Sequence, residues 1–193
     1  VFAANDLHHY FSELAEKSWV VIPVDKSLAQ DLQYSARMRL GEFKSAGINQ
    51  SLTPVKEIRN DKILWLDCNN AETPSEKAAL ANLSNLQNEL REFFRIGLNE
   101  FECHFSIYEP GQYYARHKDT LKSNNKRIFS FVLYLNTDWT EADGGQIVGY
   151  DSEEILFRIQ PLAGQLLVFK SDIEHEVLAA RRRRFALTGW LRQ

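Results

Sequence analysis

The sequence predicts a mainly β chain of the α+β class, a β-sandwich or jelly roll buttressed by helices on one face. Three observations carry this. In three segments of the first hundred residues apolar side chains recur every three or four positions, the helical period. From Phe101 onward the period becomes two, in segments of five to nine residues. Those segments are divided by turn chemistry at Glu109-Pro110-Gly111, Asp143-Gly144-Gly145 and Pro161-Leu162-Ala163-Gly164. Helices first and short strands afterwards, without alternation, suit a layered β fold with helical support rather than a parallel sheet.

The elements follow in order. Leu7, Tyr10, Phe11, Leu14 and Ser18 line one face of a short helix starting near Asn5 or Asp6. Val20-Val21-Ile22-Pro23-Val24 is a strand stopped by its proline. A second helix is expected from Ser27, as its cap, to about Leu40, with Leu28, Leu32, Ala36 and Leu40 along its stripe. Thr73-Pro74-Ser75-Glu76 holds a capping box with proline at the first helical position, and Leu80, Leu83, Leu86, Leu90 and Phe93 then step along one face. Candidate strands cover residues 101–108, 128–136, 145–150, 155–159, 165–169 and 184–192. With no internal repeat and no low-complexity linker, residues 1–193 are expected to form a single domain.

Composition narrows the function classes. Asp and Glu number 26 against 23 Lys and Arg, a formal net charge of −3, whereas a phosphate-holding surface wants the opposite balance. No nucleic-acid partner is expected. No apolar run reaches the roughly 18–20 residues that cross a bilayer, so no membrane partner is expected either. The two cysteines, Cys68 and Cys103, form no CxxC and read as reduced core thiols. The N-terminal stretch lacks the basic–apolar–small pattern of a secretory leader, and a cytoplasmic location is expected.

Among the five histidines, His117-Lys118-Asp119 places an imidazole and a carboxylate two residues apart, on one side of an extended chain. His175 follows 56 residues after Asp119, just past the 165–169 strand, where strand ends of a sandwich can meet at one mouth. Two histidines and a carboxylate on one face of a metal form the facial triad of non-haem Fe(II) oxygenases. On those three residues alone a surface pair is the better reading. Arg184 changes this, with Thr188 and Trp190 on the same strand face. A strand-borne guanidinium offers a fork for a carboxylate, and the hydroxyl adds a donor, as a dicarboxylate co-substrate requires.

These residues resemble the 2-oxoglutarate- and Fe(II)-dependent dioxygenases of the prolyl 4-hydroxylase family, closest to the HIF prolyl hydroxylase type and its bacterial relatives. The matching segments are Tyr108-Glu109-Pro110-Gly111, Tyr114-Ala115-Arg116-His117-Lys118-Asp119, and Tyr134-Leu135-Asn136-Thr137-Asp138-Trp139. They continue with Gly144-Gly145, His175-Glu176-Val177 and Arg184-Phe185-Ala186-Leu187-Thr188-Gly189-Trp190, in one order across about ninety residues. Upstream, Gly41-Glu42-Phe43 and Ile58-Arg59-Asn60-Asp61-Lys62-Ile63-Leu64-Trp65 resemble a substrate-covering hairpin of that family.

The resemblance implies a double-stranded β-helix (jelly roll) with N-terminal and central helices. It implies His117, Asp119 and His175 as iron ligands and Arg184 as clamp for the distal carboxylate of 2-oxoglutarate. Thr188 and Tyr134 would donate hydroxyls beside that clamp, Tyr108 would face the co-substrate and Trp190 would line the site. Asp61 and Arg127 would form a substrate-facing acid–base pair that sets the hairpin's angle. The cofactors implied are Fe(II), 2-oxoglutarate and O2, with ascorbate as reductant, and the products are succinate, CO2 and a 4-hydroxylated prolyl residue. A protein bearing the target proline is the expected partner, with elongation factor Tu a candidate from the bacterial relatives. The alternatives are a hydroxylase of a free amino acid or other small molecule, and a non-catalytic jelly-roll binding or sensor module. The complete set of ligands and clamp speaks against the last.

Two positions depart from the family pattern: Leu178-Ala179-Ala180 replaces a region with proline, and His104 stands where relatives tend to be apolar. His104 reads as a hydrogen-bonded core histidine rather than a fourth ligand. His175-Glu176 opens no zincin motif, because position 179 is alanine, and Glu176 reads as a surface or supporting residue. His8-His9 and Arg181–Arg183 read as solvated surface.

Overall fold

The structure, a computed structural model, describes residues 7–46, 59–120 and 126–193. In chain order the elements are α1 (His8–Lys17), β1 (Trp19–Pro23), α2 (Lys26–Met38), a 3-10 turn (Leu40–Glu42), β2 (Lys44–Ser45), β3 (Lys62–Leu66) and α3 (Pro74–Phe94). The strands β4 (Glu100–Tyr108), β5 (Tyr114–His117) and β6 (Arg127–Tyr134) follow. After a second 3-10 turn (Glu141–Asp143) come β7 (Ile147–Asp151), β8 (Glu154–Ile159), β9 (Gln165–Lys170), β10 (Glu174–Val177) and β11 (Arg184–Arg192).

Two antiparallel sheets result, a seven-stranded one ordered β1-β9-β6-β11-β4-β3-β2 and a four-stranded one ordered β5-β10-β7-β8. They are the two walls of a jelly roll, with helices on the outer face of the larger sheet. Strand alternation sorts the side chains into two cores. Phe105 and Ile107 of β4, Phe129, Phe131 and Leu133 of β6, and Phe185 and Leu187 of β11 pack with Leu14, Leu32, Leu86 and Leu90 of the helices. Their sequence neighbours turn the other way, so that Tyr108, Val132, Tyr134 and Ala186 meet Ile147, Phe157 and Val177 of the small sheet.

The central helix forms as its capping box requires. Thr73 accepts from the Glu76 N–H, and the Glu76 carboxylate accepts from the Thr73 N–H. Glu76 has a second task. Its carboxylate is fully buried and meets Arg39 at 3.2 Å and the Ser35 hydroxyl, fastening α3 to the end of α2. α2 begins one residue earlier than expected, because Asp25 rather than Ser27 caps it by accepting the Ser27 N–H at 2.8 Å. β1 retains Pro23, which an edge strand tolerates. Cys68 is exposed in the turn after β3 and not in the core; only Cys103 is buried, where burial pushes its thiol up to about 12.

β2 and β3 pair through Lys44↔Ile63 and Ser45↔Lys62, so the expected hairpin has its base at the sheet edge. Most of its expected extent, residues 47–58, lies outside the described residues. No helix among the described residues is long and apolar enough to cross a membrane.

Candidate metal centre and its pocket

The short strands β5 and β10, absent from the sequence expectation, bring the histidines together: His117 and His175 are direct register partners. Asp119, two residues past β5, is tied back by its N–H to the Ser171 carbonyl at 3.1 Å. One ligand atom from each of His117, Asp119 and His175 then lies within 4.8 Å of the others. His117 Nε2 is 3.6 Å from one Asp119 oxygen and His175 Nε2 3.6 Å from the other. The Nδ1 atoms face backbone carbonyls, His117 that of Ala115 at 2.7 Å and His175 that of Ile173 at 2.9 Å. Carbonyls only accept, so both Nδ1 atoms carry hydrogen and both Nε2 atoms are the ones turned to the shared space.

Protonation states agree with that geometry. Burial lowers His175 to about 4, against the opposing pull of Asp119. Burial alone would raise Asp119, but His175, His117 and the Ser130 hydroxyl hold its carboxyl well below the usual carboxylate range. At neutral pH the imidazole of His175 is neutral and the carboxylate ionised, the forms that bind metal. The donor set therefore fits a facial Fe(II) site with open positions.

Arg184 is 2% exposed and is aimed by its backbone surroundings. Its Nε donates to the Gly145 carbonyl at 3.0 Å. Gly145 has φ +72°, a conformation strained for any side chain, and a Cβ there would crowd Ala180 Cβ at 3.0 Å and Arg184 Cδ at 3.2 Å. The guanidinium lies 5.0 Å from the Tyr108 ring centre and 5.4 Å from that of Tyr134. The buried Tyr134 hydroxyl makes no hydrogen bond, and burial raises both phenols, so each keeps a proton to donate. Thr188, two positions along the same strand face from Ala186, places its hydroxyl 3.5 Å from that of Ser106. Trp190 completes the wall, its indole nitrogen buried without a partner.

The expected Asp61–Arg127 pair does not form. Asp61 binds Arg59 at 2.6 Å, while Arg127 binds Glu102 at 2.8 Å and lies 3.5 Å above the Trp190 ring. The cause is sheet order: β11 and β4 stand between β6, which carries Arg127, and β3, which Asp61 precedes. The Asp61 carboxylate is buried, and Arg59 rather than Asp61 lines the pocket. Arg59 also sits 4.8 Å over the Tyr114 ring, which stacks on His117 at 3.6 Å, so the segment leading into β3 leans on a histidine of the candidate metal centre. His104 is likewise corrected. It is 1% exposed and lines the pocket beside Trp65 and Trp190, but neither ring nitrogen has a hydrogen-bond partner.

Sequence reasoning assigned no role to Arg59, Tyr114, Ser130 or Ser171, and read Gly145 only as part of a turn. Ser130, a hydroxyl on the inward face of an otherwise apolar strand, was the one visible signal.

Comparisons with known proteins follow this geometry. The 2OG-Fe(II) oxygenase superfamily profile matches residues 103–192, the segment holding the triad and Arg184. The chain is similar to a crystal structure of a Pseudomonas putida prolyl-4-hydroxylase, with 33% identity, TM-score 0.87, 97% of this chain and 99% of that one covered. It is also similar to a prolyl hydroxylase from Trichoplax adhaerens, solved with a hypoxia-inducible factor oxygen degradation domain peptide, at 25% identity and TM-score 0.78, covering 95% of this chain and 87% of that one. Among curated proteins, a hypoxia-inducible factor prolyl hydroxylase of Caenorhabditis elegans is 29% identical over 146 residues. That match takes in 70% of this chain and spans 20% of the relative's length.

Proposed function

The chain belongs to the 2OG-Fe(II) oxygenase superfamily, and from that premise we propose that it is a single-domain dioxygenase using Fe(II), 2-oxoglutarate and O2 to 4-hydroxylate a prolyl residue of a protein. The observation that carries this is the convergence of His117, Asp119, His175 and buried Arg184 on one pocket. His117, Asp119 and His175 would hold the iron. Bound there, the metal supplies the coupling of O2 reduction to oxidative decarboxylation of 2-oxoglutarate, with succinate and CO2 released and ascorbate as reductant.

The chain's own residues set the conditions. Arg184 would present its remaining N–H groups to the distal carboxylate, and the protonated Tyr134 and the Thr188 hydroxyl would add donors. Tyr108 and Trp190 wall the co-substrate from water. Arg59, held by Asp61, lines the pocket and would face a protein substrate, and Arg127, stacked on Trp190, would support the wall beside it.

A proline-bearing protein is favoured as substrate by the likeness to prolyl hydroxylases, one of them solved with a peptide, and elongation factor Tu is the candidate carried by resemblance to bacterial members. The test is mass spectrometry of proteins incubated with enzyme, iron and 2-oxoglutarate. A one-oxygen gain on a specific proline, lost when 2-oxoglutarate is omitted, is expected. Oxygen appearing only on free amino acids would replace the protein substrate by a small molecule.

A further inference from the structure

Asp119 is gripped by a serine of the pocket wall as well as offered to the histidines. Ser130 Oγ donates to Asp119 Oδ2 at 2.6 Å, and Ser171 Oγ lies 2.9 Å from Ser130 Oγ. Both serines are 1% exposed. A hydroxyl has one proton to give, and that of Ser130 goes to the carboxylate, so the proton between the serines comes from Ser171. The donor order is therefore Ser171 to Ser130 to Asp119. Ser171 sits in the turn joining β9 to β10, its carbonyl accepts the Asp119 N–H at 3.1 Å, and its own N–H donates to the Ile128 carbonyl at 3.0 Å. The same turn delivers His175, so this relay connects the carboxylate to the segment that carries one of the histidines.

Position matters as much as contact. Ser130 lies on the inward face of β6, opposite Trp190 in the register, between the helix-facing Phe129 and Phe131. Its short bond to a charged oxygen in a dry wall is of the strong, charge-assisted kind.

We propose that Ser130, oriented by Ser171, is a positioning residue that occupies Asp119 Oδ2 and so keeps Asp119 a one-oxygen ligand through Oδ1. This rests on reading His117, Asp119 and His175 as the metal site. Three protein donors leave three positions on an octahedral metal, two for a keto-acid chelate and one for O2. A carboxylate that closes on the metal with both oxygens removes one of these. Without the serine hydroxyl, Oδ2 has lost its strongest competing partner, and the metal is the nearest replacement. A serine pair that merely satisfied buried groups would affect stability and leave coordination untouched.

The experiment uses Co(II) as a spectroscopic probe in wild type, Ser130→Ala, Ser130→Thr and Ser171→Ala. It reads Co(II) affinity by competition, the ligand-field absorption, and 2-oxoglutarate affinity from the change in that absorption. Ser130→Ala should show an altered ligand-field spectrum before 2-oxoglutarate is added and bind 2-oxoglutarate about 10-fold or more weakly. Ser130→Thr, which keeps the hydroxyl, should restore both, and Ser171→Ala should fall between. Should Ser130→Ala fail to fold, Ser130→Cys, a weaker donor of similar size, is read in its place with the same expectation. Wild-type spectrum and 2-oxoglutarate affinity in a folded variant lacking the hydroxyl would overturn the proposal. A wild type whose Co(II) uptake is unaffected by His117→Ala would instead overturn the metal-site reading beneath it.

Discussion

Replacing His104 by leucine should make this protein more stable, an unusual outcome for a buried residue of a pocket wall. Its imidazole is 1% exposed, with ring centres 5.0 Å from Trp65 and 5.5 Å from Trp190, and neither nitrogen is hydrogen-bonded. A buried polar atom left without a partner costs roughly 1–3 kcal/mol. Leucine removes both atoms, while the change of shape costs less than about 1.5 kcal/mol. A net gain of about 1–2 kcal/mol at pH 7 follows, or a rise in Tm of about 2–8 °C for a chain of this size. Acid should widen the gap. Burial lowers His104 to about 3, with Arg59 and Arg127 adding to the effect, against an ordinary value of 6.5. As pH falls below 6.5 the unfolded chain takes up the proton and the folded chain does not, so the wild type loses stability until its folded pKa is passed. At pH 5 that loss is about 2 kcal/mol, and the leucine variant is spared it. Urea denaturation followed by far-UV circular dichroism at pH 7.5 and pH 5 measures both quantities. A leucine variant less stable at both values, or a gap that does not grow on acidification, would show that His104 is satisfied in the folded state and refute the reasoning.

Removing either His117 or Asp119 by alanine should abolish metal uptake and 2-oxoglutarate-dependent succinate formation, because two donors cannot make a facial site; undiminished succinate in both would dismiss these ligands. Arg184→Ala should weaken 2-oxoglutarate binding by about 2–5 kcal/mol while metal uptake persists, and Arg184→Lys should recover only part of it, as titration calorimetry can measure. Gly149→Ala places a Cβ 2.3 Å from the Phe157 ring, which packs toward Phe169 and through it against His175. A stability loss of about 1–3 kcal/mol in thermal melts, with weaker metal retention, is expected, and an unchanged melt would show that Phe157 has room to yield.

The alternation of β4, β6 and β11 was written in the chain, and with it the division between a helix-facing core and a pocket wall. The pairing of His117 with Asp119 was equally legible, because alternate side chains of an extended chain share a side, whereas His175 and Arg184 joined them through the family resemblance. So was the cap of α3, since Thr73 and Glu76 meet within one helical turn. What depends on which strands become neighbours was not legible. Asp61 and Arg127 have matching charges, yet two strands lie between them, and each found a closer partner. Glu76 reads locally as a cap and serves also as the buried acceptor of Arg39, 37 residues away. The four-residue strands β5 and β10 are too short to show a period of their own, and only their pairing sets His117 opposite His175. The stack of Arg59 on Tyr114 on His117, the serine relay to Asp119 and the unpartnered His104 all arise from side chains meeting across elements. The sequence alone thus determined which residues face inward and what chemistry they can perform. Only the tertiary structure decided which of them touch, because periodicity is a local property of the backbone and contact is set by the register and order of strands distant in the chain.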